Sequence, residues 1–231
     1  DENSEQQLFS SKEFIIFLID CNSTMHRVFK ENNIIVTPLS TILKVTESFL
    51  KTKIISNAKD LFGIVLFNTS ITQNEMKFDG VNDSFIKIGA PNAEMIRDIK
   101  QANQKCDPEK NEKNFQTELE NYFPSVKNNK NYLNNALWII HSILKNYDKK
   151  TYKRKIVLFT DNDDPLKNDP TEKGICIQRA KDMSDSDIII EIFPMNYDGQ
   201  KFNLANFYAS IIPANSEEDE DGGNDNLLSI E

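Results

Sequence analysis

Four stretches of this chain, 14–20, 61–67, 155–160 and 187–193, are almost unbroken runs of apolar, often β-branched residues. A strand wetted on one face alternates polar and apolar residues, whereas a strand that does not alternate must be covered on both faces. The runs therefore predict a mostly parallel sheet between two layers of helices. A weaker candidate at 84–88 predicts an edge strand. Helical periodicity fills the gaps. In 37–56, Leu39, Ile42, Leu43, Thr46, Phe49, Leu50 and Ile54 recur at helical spacing, and Pro38 just after Thr37 marks the start. In 132–147, Leu133, Ala136, Leu137, Ile140, Leu144 and Tyr147 form one stripe, and Trp138 is assigned to the core with it. Further helices are expected at 91–103, 115–122, 171–184 and 202–212, with a polar loop at 104–114. Strands alternating with helices imply right-handed βαβ units: an α/β, doubly wound, mostly parallel sheet of Rossmann type with helices on both faces.

A chain of 231 residues is long enough for one well-buried core. The expected division is an N-terminal extension at 1–12, one domain at 13–213 and an acidic tail or linker at 214–231. Seven acids and no Lys or Arg lie between 217 and 231, so of the net charge of −9 only about −2 belongs to the rest. That is not the footprint of a domain that grips DNA by itself. Cys21, Cys106 and Cys176 are far apart and form no CxxC pair, which argues against a disulfide framework or a zinc site. His26 and His141 are too few for a His-built metal site. No apolar run reaches bilayer length, so no membrane partner is expected, and Asp1, Glu2 and Glu5 do not open a signal peptide. Nucleus or cytoplasm is the expected location.

In sheets of this kind ligands bind beyond the carboxyl ends of the strands. The chain has no GxGxxG, GK[ST] or GxSxG, so neither a nucleotide cofactor nor a serine nucleophile is expected. Two strands end in acids, Asp20 and Asp161. Carboxylate and hydroxyl oxygens suit magnesium, and Asp20, Asn22, Thr24 and Asp161 resemble a degenerate adhesion-type metal site of von Willebrand factor A-type domains. Asn22 replaces a serine, 130–133 offers no threonine, and Asn162 replaces a glycine. The expectation is therefore no bound metal, with both acids accepting hydrogen bonds from loop amides. The alternative is a free-standing A-type domain binding an acidic ligand through magnesium. An aspartyl-phosphate enzyme built on Asp20 would need a second acid where Asn22 stands. The basic run 149–155 reads as a solvated connector in preference to a phosphate-contacting patch.

Several of these stretches together resemble one family of A-type domains, the N-terminal domain of the smaller subunit of the Ku DNA-end-binding heterodimer. They are Ile16-Phe17-Leu18-Ile19-Asp20 with Met25, then Lys53-Ile54-Ile55-Ser56 with Asp60-Leu61, and Ala136-Leu137-Trp138. The most specific is Leu158-Phe159-Thr160-Asp161-Asn162-Asp163-Asp164-Pro165 followed by Asn168-Asp169. Arg179-Ala180, Asp182, Phe207-Tyr208 and Ile211-Ile212 complete the set. The resemblance implies a non-catalytic nuclear module in double-strand-break repair by non-homologous end joining, with a further part in telomere maintenance. Implied partners are the larger Ku subunit, end-joining factors such as the DNA-dependent kinase or a ligase complex, and duplex DNA ends held mainly by a β-barrel beyond this chain. The helix 171–184 matches one that the family associates with end joining, and Lys173, Arg179, Lys181 and Asp185 are its expected contact residues. A lyase activity attributed to the family uses a lysine before the first strand. Leu8-Phe9-Ser10-Ser11 offers none and Lys12 is the nearest, so that activity is not expected.

Overall fold

The computed structural model describes residues 12–212 apart from 32, 33, 58, 198 and 200. The expected extension before Lys12 and the acidic tail lie outside the described residues. At the centre runs β1 (Lys12–Asp20), buried from Phe14 onward. Its side chains feed two separate cores. Phe14, Ile16 and Leu18 enter one, while Ile15, Phe17 and Ile19 enter the other. This is why the run cannot alternate.

On one side of β1 lies β4 (Leu61–Phe67), and on the other β6 (Tyr152–Thr160), both parallel to it. Beyond β6, β7 (Ile188–Pro194) is also parallel. Outside β4, β5 (Val81–Gly89) runs antiparallel and closes the edge with two register shifts. The five-stranded order is β5-β4-β1-β6-β7, so the sheet is mostly parallel, as its composition requires. A small antiparallel hairpin, β2 (Phe29–Glu31) with β3 (Ile34–Val36), stands apart. Strands of three residues carry too few side chains to show a period in the sequence.

Helices cover both faces. On one side sit α1 (Pro38–Ser56), α2 (Ala93–Cys106) and α3 (Phe115–Tyr122), and on the other α4 (Leu133–Leu144) and α5 (Pro170–Asp185). The Thr37 side chain accepts the Ser40 N–H while the Ser40 hydroxyl accepts the Thr37 N–H, a reciprocal cap. Asn92 and Asp169 cap α2 and α5.

Four expectations need correction. The segment 202–212 is not an α-helix but two 3₁₀ turns, at Leu204–Asn206 and Tyr208–Ser210. The apolar spacing of Leu204, Phe207, Tyr208 and Ile211 mimics a helix. Asn203, however, bonds its side chain to the Ala205 N–H, and Phe207 leaves helical geometry at ψ −52° with φ −150°. The loop expected at 104–114 starts later, because α2 continues to Cys106. Trp138 is not in the core: it is 44% exposed. At 100° per residue, position 138 lies a quarter turn off the stripe of Leu133, Ala136, Leu137, Ile140 and Leu144. Lastly, the run 149–155 is not a connector throughout, since its last four residues belong to β6.

Within that run Arg154 is 4% exposed. Its guanidinium donates to the carbonyls of Leu144 and Tyr147, both at 3.3 Å, and to that of Ser186. It thus ties the ends of α4 and α5 to the start of β6. Lys149 pairs with Asp187 and Lys155 with Glu191. Replacing Arg154 with Ala strands three carbonyls, so it is expected to cost about 3 kcal/mol in urea unfolding. Lys153→Ala, at an exposed neighbouring position, should stay within about 0.5 kcal/mol. Equal effects of the two substitutions would remove Arg154 from its structural role.

Candidate functional site

From β1 the chain crosses to β4 on one side and later to β6 and β7 on the other, so the carboxyl ends of β1 and β6 flank the topological switch point of the sheet. Asp20 ends β1 there, with no exposed surface. Its Oδ1 accepts the Asn22 N–H at 2.9 Å and the Asn68 side-chain amide at 2.8 Å, and its Oδ2 accepts the Thr160 hydroxyl at 2.8 Å. A carboxylate offers about four lone-pair sites, and three are taken within the chain. The Thr24 hydroxyl donates to Asp161 Oδ1 at 2.8 Å. Asn22 turns its side-chain oxygen to the Ser23 N–H, at the head of the 3₁₀ turn Ser23–His26.

The fold therefore brings Asp20, Thr24 and Asp161 together and directs the Asn22 side chain into a local turn. Where an adhesion-type site would place a threonine from the middle loop, the chain presents the Tyr132 N–H, which donates to Asn68 Oδ1 at 2.8 Å. Asn68 was missed in the sequence. It is 2% exposed, follows β4 directly and holds φ at 55°, a left-handed conformation that asparagine tolerates better than most residues. Its signal was a strand-ending Asn beside a strand-ending Asp, visible only once β1 and β4 are known to be neighbours.

Burial dominates the electrostatics. It pushes the Asp20 carboxyl up to about 6, against the opposing hydrogen bonds from Asn68, Asn22 and Thr160, and the charge of Asp161 adds to the rise. Asp161 is also raised by burial, opposed by the Thr24 hydrogen bond. The Tyr208 hydroxyl is fully buried beside this cluster. Burial and then the Asp20 charge hold it far above its usual range, so it is neutral. It approaches Thr160 without meeting hydrogen-bond geometry. Among the described residues no group of three or more His, Cys, Asp or Glu side chains is placed to hold a metal ion. A cation would have to displace three internal donors from Asp20, and an attacking carboxylate would have to be reachable, which Asp20 is not.

The second candidate surface is α5. Lys181 and Asp185 are exposed as expected. Lys173 and Arg179 are only partly so, because both are used within the chain. Lys173 donates to the Asn206 carbonyl at 2.8 Å and lies 3.9 Å from Asp164. Arg179 donates to Asn134 Oδ1 at 3.0 Å, and its guanidinium sits 3.7 Å from the Trp138 ring centroid. The exposed Trp138 ring and Ile175, which is 40% exposed, extend this face across α4 and α5. Trp and Arg at an exposed, ordered position are the residue types that most often anchor protein partners.

A mostly parallel sheet flanked by helices on both faces, with acids ending β1 and following β6, is the architecture of a von Willebrand factor A-like α/β domain. The chain belongs to the Ku70/Ku80 N-terminal alpha/beta domain family, whose model matches residues 14–226. It is 29% identical over 231 aligned residues to the "ATP-dependent DNA helicase 2 subunit KU70" of Oryza sativa subsp. japonica, covering 94% of this chain and 35% of the relative. The Arabidopsis thaliana protein of the same description is also 29% identical, over 94% of this chain and 36% of its own length. The mouse "X-ray repair cross-complementing protein 6" is 25% identical, over 91% of this chain and 32% of its own. The chain thus spans about a third of the length of these relatives.

The raised Asp20 carboxyl makes stability depend on pH in an unusual direction. Its folded-state pKa of about 6 lies above that of an aspartate in water, so the folded state takes up a proton first and gains stability as pH falls through about 6. Between pH 8 and pH 5 this contribution amounts to about 1.4 kcal/mol. Asp161 and Asp83, also raised, act in the same direction. Urea unfolding at the two pH values should show the Asp20→Asn variant losing about that much of the wild-type gain. An unchanged difference between the two pH values would place the Asp20 titration elsewhere.

Proposed function

We propose that this chain is the N-terminal module of the smaller subunit of a Ku-type heterodimer that binds DNA double-strand-break ends and acts in non-homologous end joining. The observation that carries the proposal is the family match over 14–226, together with relatives whose printed names are KU70 subunits and a repair cross-complementing protein. In this reading the module is nuclear, non-catalytic and free of cofactor and metal. It pairs with the larger subunit within the full-length protein and serves as a docking surface for end-joining factors, with a further part in telomere maintenance. The buried Asp20 carboxylate, engaged by three donors from within the chain, supports a non-catalytic role. The helicase activity in the relatives' names has no GK[ST] phosphate loop in the segment held here. DNA ends are gripped mainly by the domain expected after residue 213, consistent with about −2 net charge before residue 217. Docking falls on α5, through Lys181 and Asp185, beside the stacked Arg179 and Trp138.

Two measurements test this. The purified chain alone should bind a blunt duplex end at physiological salt no tighter than about 10⁻⁶ M, the level of non-specific contact. Nanomolar binding would move the DNA grip into this module. In the full-length heterodimer, charge reversal at Lys181→Glu with Asp185→Lys should lower end-joining yield several-fold while leaving end affinity unchanged. A yield equal to wild type would take docking off α5, and a parallel loss of end affinity would make α5 part of the DNA grip.

A further inference from the structure

The hairpin of β2 and β3 departs from alternation as β1 does, but lacks the double cover. Val28-Phe29 leads into β2, and Ile34-Ile35-Val36 makes up β3. A strand with apolar residues at consecutive positions has to bury both faces to keep them from water. Here the chain covers one. Phe29 pairs across the ribbon with Val36, and its ring stacks on that of Tyr197 at 4.6 Å with 13° between the planes. The Tyr197 hydroxyl in turn donates to Thr41 Oγ1 at 3.2 Å, which ties this face to the first turn of α1.

The opposite face is bare. Lys30 pairs with Ile35, and side chains alternate along a strand, so Val28, two residues before Lys30, shares their side on the diagonal from Ile35. Val28 is 44% exposed and Ile35 39%, and Lys30 is exposed between them. Among the described residues Lys30 has no ion-pair partner. Arg27, just upstream, is exposed as well. The backbone of both strands bonds to no other segment among the described residues, and a two-stranded ribbon is marginal by itself. Adjoining exposed apolar side chains rimmed by charge mark contact sites, whereas scattered ones do not.

We infer that this face of the β2–β3 ribbon docks a segment of another protein that carries two aliphatic side chains flanking a carboxylate. The aliphatic groups lie on Val28 and Ile35, the carboxylate meets Lys30, and Arg27 stands at the rim. Charge complementarity selects the occupant, because a lysine set among apolar side chains attracts an acidic apolar segment and repels a basic one. Docking also gives the non-alternating strands the second cover that the chain does not provide. The inference goes beyond the end-joining reading and does not depend on the α5 face.

The test is a titration of the ¹⁵N-labelled full chain with an end-blocked pentapeptide, leucine–threonine–glutamate–threonine–leucine, alongside its lysine-centred counterpart. In extended form the first puts both leucines and the glutamate on one side. It should give saturable amide shifts confined to 27–30, 34–36 and Tyr197. Ile35→Ser should weaken binding about tenfold, the same spectra reporting that the variant is folded. Lys30→Glu, at an exposed position outside both cores, should weaken it as much and move the preference to the lysine-centred peptide. Lys181→Ala should leave binding unchanged. No saturable shift, shifts scattered over the surface, or an equal response to the two peptides would each overturn the proposal, as would a Lys30→Glu variant that still prefers the glutamate peptide. Shifts at the same amides on concentrating the chain without peptide would also overturn it, by assigning the face to a second copy.

Discussion

Six consecutive residues of β1 pack alternately into two cores that do not meet, Phe14, Ile16 and Leu18 against α4 and α5, and Ile15, Phe17 and Ile19 against α1 and α2. Burying both faces of one strand supplies a large share of the apolar area removed from water. It also forces the neighbours of β1 to be strands and the layers above and below to be helices. A shift of one residue would swap every side chain between the cores. The Phe17 ring, 5.0 Å from both Phe62 and Phe159, holds β4 and β6 in step with it.

The same burial governs the strand-end site. Since β1 is dry along its length, the residue that ends it is dry as well, and a carboxyl there must either find donors or stay protonated. Asp20 does some of each. Three donors from three different segments converge on it, and the desolvation they do not offset appears as its raised affinity for a proton. The arrangement cross-ties the ends of β1, β4 and β6 through Asn68 and Thr160. The strand-end position that other sheets use for ligands serves here to hold the loops.

What remains outward is distributed around the rim. The α4–α5 face carries a tryptophan held by an arginine, and the β2–β3 ribbon carries an apolar face around a lysine. Neither depends on the buried acids.

Much of this was legible in the residues themselves. Non-alternating runs can only be doubly covered strands, so the sheet, its mostly parallel character and the acids at its ends followed from local pattern, as did the start of α1 from Thr37 and Pro38. The rest depended on neighbours far apart in sequence. Asn68 and Thr160 reach Asp20 across 48 and 140 positions, and no spacing rule connects them. Trp138 faces water because α4 turns its stripe inward, Arg154 is buried because three carbonyls happen to meet it, and Lys173 and Arg179 are occupied by groups on other elements. The sequence by itself determined which segments must be buried and in what form, since that is set by side-chain chemistry and period. Only the tertiary structure decided which polar groups find each other, since hydrogen bonds and ion pairs act over a few ångströms and depend on where the chain has already brought its parts.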